Sequence, residues 1–549
     1  MRAAFAYVIL LSSIYADGVT GGQPTTVAPV AQGVVDSRPT VATAPNGQTM
    51  VSYISLTGGG AALNVLFMDA AGNVVSGPTV VATPGVVPGG GSMAACANAN
   101  GFMLVYDGVP TGLVNRSVYY IIYSLTGTVV SSGTASTLTG FDNTRPRCAT
   151  STHGNFAIVW LQRSFPNTTG VMLRRYSANG TAIDASEFRV DNAAQSLGRM
   201  DGPDVGYWPS GRLVVAWHDG DFNAAAGVGL TPDGFGQGIL GRWFENNLQA
   251  LTNNVVLSST TANDQFECLV SVDDRNRCMF AWCGDLTTNL VDAWCRAYDD
   301  TGMPLDASDI NLTPTNTTSD QLAMSIDGSS NGEFIVTWMD AVSSLGQPAP
   351  RVSYARLSQQ RSIVQTSFVE TAGSTSQGQF FARTGCDQYG NFTVAYQLQD
   401  GTSLGSTTAC GVVLKAFKRN MIALSASQVP LGGGVSVLID SPSDANNIYV
   451  VGLAAGGGPT PVDSRTLKLS NDALLNFVLG PGLSNNNGVF FNFAGVLSST
   501  GTTSLPGILV PNVPSLVGVT LHVAFVTGGG FALPSGVNTV SDSVTLTII

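Results

Sequence analysis

Asp107, Asp219, Asp285, Asp340 and Asp400 each stand one to four residues past an aromatic that closes an alternating apolar run. If those runs are strands of one repeated sheet, the five carboxylates share a face and form a broken acidic ring. Carboxylate oxygens suit hard cations, so a ring of this kind would draw Ca2+ or a cationic ligand. The plainer reading, favoured here, is that each Asp bonds the backbone of its own turn. The segment after Trp217 adds His218 and the rhythm Asp219-x-Asp221-x-Asn223, which opens like a calcium loop and makes those three residues the candidate metal ligands. The match is partial, because Ala224 and Leu230 stand where such a loop needs glycine and glutamate. This loop runs to Gly238 and is the longest of its kind. Long loops on rigid scaffolds carry binding. The expected ligand contacts are therefore Trp217, His218, Asp219 and Asp221, with Asp107, Asp285, Asp340 and Asp400 around them. A lid over a central channel fits the same loop equally well.

Other chemistry is sparse. His153, His218 and His522 have no ligand spacing around them, and no H-E-x-x-H is present. The G-x-S-x-G text at Gly328–Gly332 and Gly401–Gly405 falls in hairpin turns, whereas a nucleophile elbow needs a strand-to-helix corner. No catalytic residue is assigned, and the balance leans away from an enzyme. A pair of acids for glycoside cleavage would be invisible at this level, since its signature is a distance in space. A net charge of -12 with no basic stripe argues against nucleic acid. Of eight Cys, Cys283 and Cys295 flank one hairpin and are the expected cross-strand disulfide.

The elements that must position these residues repeat. Gly154-Asn155-Phe156-Ala157-Ile158-Val159-Trp160 begins at a turn glycine, alternates, and ends on a large ring. Related text occurs at Gly211–Trp217, Asn276–Trp282, Gly332–Trp338 and Gly390–Tyr396, and more loosely at Gly47–Tyr53 and Gly101–Tyr106. The closing aromatics are spaced by 53, 54, 57, 65, 56 and 58 residues. Each copy holds four strand-like runs with Gly, Asn or Asp at the reversals, which predicts a four-stranded antiparallel meander. Both faces of such a sheet are apolar, so it must lean on neighbours, and radial stacking solves this. Independent sandwiches need about 100 residues each, roughly twice this period.

The expected fold class is all-β: a seven-bladed β-propeller over residues 17–419, followed by a C-terminal β-sandwich over 420–549. Copy seven lacks a fourth strand, and Gln23–Val30 resembles the fourth-strand text Gly77–Ala82, so the N-terminal strand is expected to close the ring. From Met421 the repeat is lost and only seven charged residues remain. Residues 1–16 read as a signal peptide, with one Arg, a short apolar run and small residues. No later apolar run is long enough for a membrane-spanning helix.

The copies resemble the tandem P-x-V-A … G-x-F-V-V-x-W … repeats of large secreted bacterial surface and adhesin-like proteins, most closely at Gly154–Trp160 with Val171–Gly180 and at Gly332–Trp338. The final domain is similar to C-terminal β-sandwiches of secreted bacterial proteins. The resemblance implies export and cell-surface display, and no catalytic residues come with it. The functional expectation is a secreted or cell-surface protein of binding or structure, acting in adhesion and in recognition of a surface glycan (carbohydrate binding) or protein. The alternatives are an extracellular polysaccharide hydrolase or lyase, and a homo-oligomeric subunit of a surface filament or layer. No cofactor is expected other than Ca2+ at the loop after Trp217.

Overall fold

A left-handed residue closes the hairpin that opens six of the repeats, the second being the exception. In the third, the Gly154 N–H donates to the Ser151 carbonyl at 2.9 Å with φ at +90°. Asn276 takes the same place in the fifth at +58°, the conformation a short polar side chain tolerates best after glycine. The computed structural model describes residues 14–549 apart from 22–23, 29–34, 58–59, 71, 82–84, 87–91, 152–153, 165–167, 193–199, 221–232, 235, 286–289, 315–318, 330–331, 343–348, 370–376, 401–409, 442–443, 459, 462–465, 480–487, 529–536 and 542. Most of the expected signal peptide, residues 1–13, lies outside the described residues.

The chain divides into two units. One is Pro24–Ala416; the other joins the N-terminal strand Ile14–Gly21 to Phe417–Ile549. The first unit is a β-propeller of four-stranded antiparallel blades, as in Asp142–Thr150, Phe156–Ser164, Thr168–Tyr176 and Phe188–Arg189. The first strands of successive blades are Val35–Thr43, Met93–Asn98, Asp142–Thr150, Asp201–Tyr207, Gln265–Val272, Ser319–Gly328 and Gln377–Cys386. Each touches the next, and the last touches the first. Thr25–Ala28 pairs antiparallel with the last blade's third strand, Thr25 opposite Leu414 and Ala28 opposite Val412.

Two-faced burial drives this arrangement. Within Phe156–Ser164, Phe156, Ile158 and Trp160 enter one core with Met103 and Val105 of the blade before. The alternate residues Ala157, Val159 and Leu161 enter another with Leu213, Val215 and Trp217 of the blade after. Period-two alternation therefore serves two interfaces rather than one core and one wet face. Arginines on third strands add cross-blade ties. The Nη1 atoms of Arg174, Arg242 and Arg296 donate to the carbonyls of Ala135, Val190 and Leu257 in the preceding blade, at 3.2, 2.7 and 3.2 Å. Each guanidinium also lies over the ring two residues on, Tyr176, Phe244 or Tyr298.

Six of these first strands share a bulge, and Met93–Asn98 does not. Arg38, Arg145, Gly202, Glu267, Ala323 and Phe381 all have φ between +51° and +60°. At each, two residues oppose a single aromatic on the second strand, Tyr53, Trp160, Trp217, Trp282, Trp338 or Tyr396. The proline of the P-x-V-A text follows directly in the cases of Arg38, Arg145 and Gly202. A bulged residue leaves the ladder, so proline's missing N–H costs nothing there.

In the second unit, Ile14–Gly21 pairs with Phe417–Leu424, opposite Gly434–Asp440. The expected boundary at residue 17 is thus corrected, since the first strand belongs with the C-terminal unit. A second sheet holds Val544–Ile548, Thr520–Gly528 and Ile448–Ala454. Ile422, Val437 and Ile439 from one sheet and Val451, Phe525 and Leu546 from the other share one apolar core.

Left-handed backbone costs an L-residue roughly 1–2 kcal/mol, against about 0.5–1 kcal/mol of extra unfolded-state entropy for glycine. Ala323→Gly, which copies the native Gly202, is expected to stabilise the chain by roughly 0.5–1 kcal/mol in urea denaturation. A loss of stability would refute the strain assigned to this bulge.

Candidate functional site

The carboxylates of the expected acidic ring are held by the protein itself. Asp107 is fully buried; it accepts the Ser92 N–H at 2.9 Å and the Arg145 N–H at 3.3 Å, and the Arg116 guanidinium stands 3.6 Å away. Burial pushes its pKa up despite these donors. Asp219, also fully buried, accepts the Gly220 N–H at 2.9 Å. Asp285 accepts the Asp264 N–H at 3.0 Å. Asp340 accepts the Trp338 indole N–H at 3.0 Å, the Gln321 amide at 3.4 Å and the Ser353 hydroxyl. Asp400 ends the strand Phe392–Asp400 opposite Gln377, and its side chain lies outside the described residues. Blade ends leave backbone donors without a ladder partner, and an ionised acceptor satisfies them at short range.

Three expected ligand contacts are corrected by burial. The Trp217 ring is wholly enclosed between two blades, packed with Val159 and Leu173, and presents nothing to a ligand. His218 is buried on the same strand, and burial lowers its pKa to about 4, so it is neutral near pH 7. Asp219 is sealed beside it. Asp221 and Asn223 lie outside the described residues. Among the described residues no three His, Cys, Asp or Glu are gathered as metal ligands. The expected disulfide is corrected too. Cys283 stands opposite Ala293 and Cys295 opposite Ala281, and both thiols are free. Diagonal neighbours in an antiparallel pair are about 7–8 Å apart, beyond what a disulfide spans.

What the first strands do bring together is a channel. A cavity of about 420 Å3 is lined by the residues just past the bulges, among them Thr40, Arg147, Asp204, Ser325 and Arg383. Apart from Val35, which pairs with Cys410, the axial edges of the first strands have no ladder partner among the described residues, and side chains of neighbouring blades supply part of what is missing. Asp204 accepts the Val270 N–H at 2.9 Å. Ser325 accepts the Thr384 N–H at 3.1 Å. Asp327 accepts the Cys386 N–H at 2.7 Å through one oxygen, and the Gly328 N–H at 2.9 Å through the other. Burial raises both acids from 3.8 to about 6, against the pull of Arg147 on Asp204 and of the backbone donors on Asp327. The opposite end of the channel carries Asp273 and Asp387, each folded onto its own hairpin turn, where Asp387 Oδ1 accepts the Tyr389 and Asn391 N–H groups.

Sequence reasoning missed these channel residues. Their signal was present: Arg147 and Asp204 occupy the variable position of P-x-V-A, in Pro146-Arg147-Cys148-Ala149 and Pro203-Asp204-Val205-Gly206. A charge inside an otherwise apolar strand motif marks a special environment.

No family model matches this chain, and no curated protein matches it in sequence. Solved structures with similar coordinates include a protein of unknown function from Dyadobacter fermentans, 9% identical, covering 72% of this chain and 99% of that one at a TM-score of 0.40. The β-propeller domain of the Trilobed protease from Pyrococcus furiosus is 8% identical over 72% of this chain and 94% of that one, with a TM-score of 0.38. An α-L-arabinanase from Penicillium chrysogenum is 12% identical over 72% and 98%, also at 0.38. The fold assignment rests on the strand pairing described above and not on these likenesses.

The two raised acids make a pH prediction. A carboxylate whose folded pKa exceeds its unfolded value binds more protons when folded, so its contribution to stability falls as pH rises from about 4 to about 6. Asp204→Asn with Asp327→Asn keeps an acceptor oxygen at each site and removes the charge. The variant's stability relative to the parent is expected to rise between pH 4.5 and pH 7.5, by on the order of 1–3 kcal/mol per site. Urea melts at the two pH values measure it, and a constant difference would contradict the burial argument.

Proposed function

We propose that the chain is a secreted or cell-surface recognition protein, a seven-bladed β-propeller followed by a C-terminal β-sandwich, that binds a surface glycan or protein through its propeller loops. The seven-bladed reading is supported by the closed circuit of first-strand contacts and by the pairing of Thr25–Ala28 with the last blade. The sandwich reading is supported by two sheets over one apolar core. In this reading the P-x-V-A repeats place the chain with tandem-repeat surface proteins of secreted type.

One observation carries the choice of binding over hydrolysis. Asp204 and Asp327 hold backbone N–H groups of the adjoining blade. Glycoside cleavage asks for two carboxyl groups free to reach the two sides of one bond. Carboxylates that stitch the scaffold are poorly placed for that work. The polysaccharide hydrolase or lyase reading keeps one specific support: both acids are pushed up to about 6, into the range where a general acid serves.

A glycan array probed with and without Ca2+, beside a release assay on polysaccharide, separates these readings. Binding without product is the expected result, and Ca2+ dependence would assign a metal role to the loop after Trp217. Product release that disappears in Asp204→Asn and Asp327→Asn would replace recognition by hydrolysis. Deleting Pro24–Ala28 is expected to lower the melting temperature of the propeller by several degrees, as one blade loses a strand. An unchanged melt would end the closure reading.

A further inference from the structure

Two guanidinium groups reach into the channel without an acid to neutralise them. Arg147 and Arg383 each stand two residues past a left-handed bulge position, Arg145 and Phe381, on the first strands of the third and last blades. Each is steered by one nitrogen. Arg147 Nη1 donates to the Met93 carbonyl of the preceding blade at 3.4 Å and to the Pro146 carbonyl at 3.5 Å. Arg383 Nη1 does the same to Met324 at 3.3 Å and to Ala382 at 2.7 Å. Their remaining nitrogens have no protein partner among the described residues, and no carboxylate there lies within 4.0 Å of either group.

Compensating charge reaches Arg383 first from Glu267 and then from Asp204, and the field of Asp204 acts on both arginines. One of its oxygens is engaged by the Val270 N–H, however, and it makes no ion pair among the described residues. Burial, and then the repulsion of Arg147, lowers Arg383 to about 10. Like charges held together in a partly dry cavity are costly unless a counter-charge enters between them. The planar guanidinium fork suits a carboxylate or sulfate better than any neutral group.

We propose that Arg147 and Arg383 form an oxoanion site in the propeller channel, taking the carboxylate or sulfate group of a ligand no larger than a single sugar acid. The cavity of about 420 Å3 sets that limit, and it falls inside the range of roughly 300–1,000 Å3 usual for small-molecule sites. The site is separate from the loops: a chain that binds neutral glycans and ignores oxoanions keeps the recognition reading and loses this one.

Calorimetric titration of the full chain tests it, with sodium D-glucuronate, sodium sulfate and D-glucose at one ionic strength set by NaCl. Saturable one-to-one binding of glucuronate or sulfate, with none of glucose, is the expected result. Glucuronate alone points to a sugar acid, and sulfate alone to an inorganic oxoanion; both support the site. Arg147→Met with Arg383→Met is expected to abolish the signal, and Arg383→Lys to weaken it by about tenfold, since the charge stays and the fork is lost. Should the double variant fail to fold, Arg383→Lys and Arg147→Lys carry the test alone. No saturable binding by either anion would overturn the proposal, as would affinity unchanged in the arginine variants.

Discussion

A sheet that is apolar on both faces cannot be stable by itself, and most of this molecule follows from that constraint. The strand Phe156–Ser164 shows it at single-residue resolution: odd and even positions belong to different cores, each shared with a different neighbour. Burying a ring as large as Trp160 or Trp217 completely, at roughly 1.5–3 kcal/mol or more for each large side chain, requires the neighbouring blade to be present. The stability of any one blade is therefore written partly in the sequence of the next.

Radial stacking moves the problem of unpaired edges to the axis. There the first strands turn backbone groups toward the channel, and each of those groups needs a partner. The chain answers with polar side chains reaching from blade to blade: Asp204 to Val270, Ser325 to Thr384, Asp327 to Cys386. The bulge sets this up by turning the strand so that residues two or four places on meet the adjoining edge. Acids employed in this way sit at raised pKa because burial outweighs the donors they hold.

The repeat and its four-strand order were legible because they are local: turn glycines, alternation and a closing ring repeat at a steady interval. The pairing of Thr25–Ala28 with the last blade was legible because that segment carries fourth-strand text. The position of Ile14–Gly21 was not, since its apolar run also suits a leader segment, and its partner lies some 400 residues away. The site was harder. Asp107 and Asp340 recur at the right period, yet period says nothing about whether a carboxylate faces water or a backbone N–H. Trp217 read as a ligand-contacting ring at a loop, and the packing of both blade faces hides it. Arg147 and Arg383 come together from blades far apart in sequence, and no window of the chain contains both. Cys283 and Cys295 flank a hairpin in the text, and a two-residue offset in register separates them.

The pairing of the two N-terminal strands has a consequence for biosynthesis. Ile14–Gly21 and Thr25–Ala28 leave the ribosome about 400 residues before their partners Phe417–Leu424 and Val412–Leu414. Intermediate blades can collapse on one another as they emerge, but these two strands must wait with unsatisfied edges until their partners are made. Loop closure over so long a span is slow and favours off-pathway association. The long separation of these pairs thus makes their meeting a slow step, and a holdase that shields Ile14–Gly21 and Thr25–Ala28 would raise the yield of folded protein.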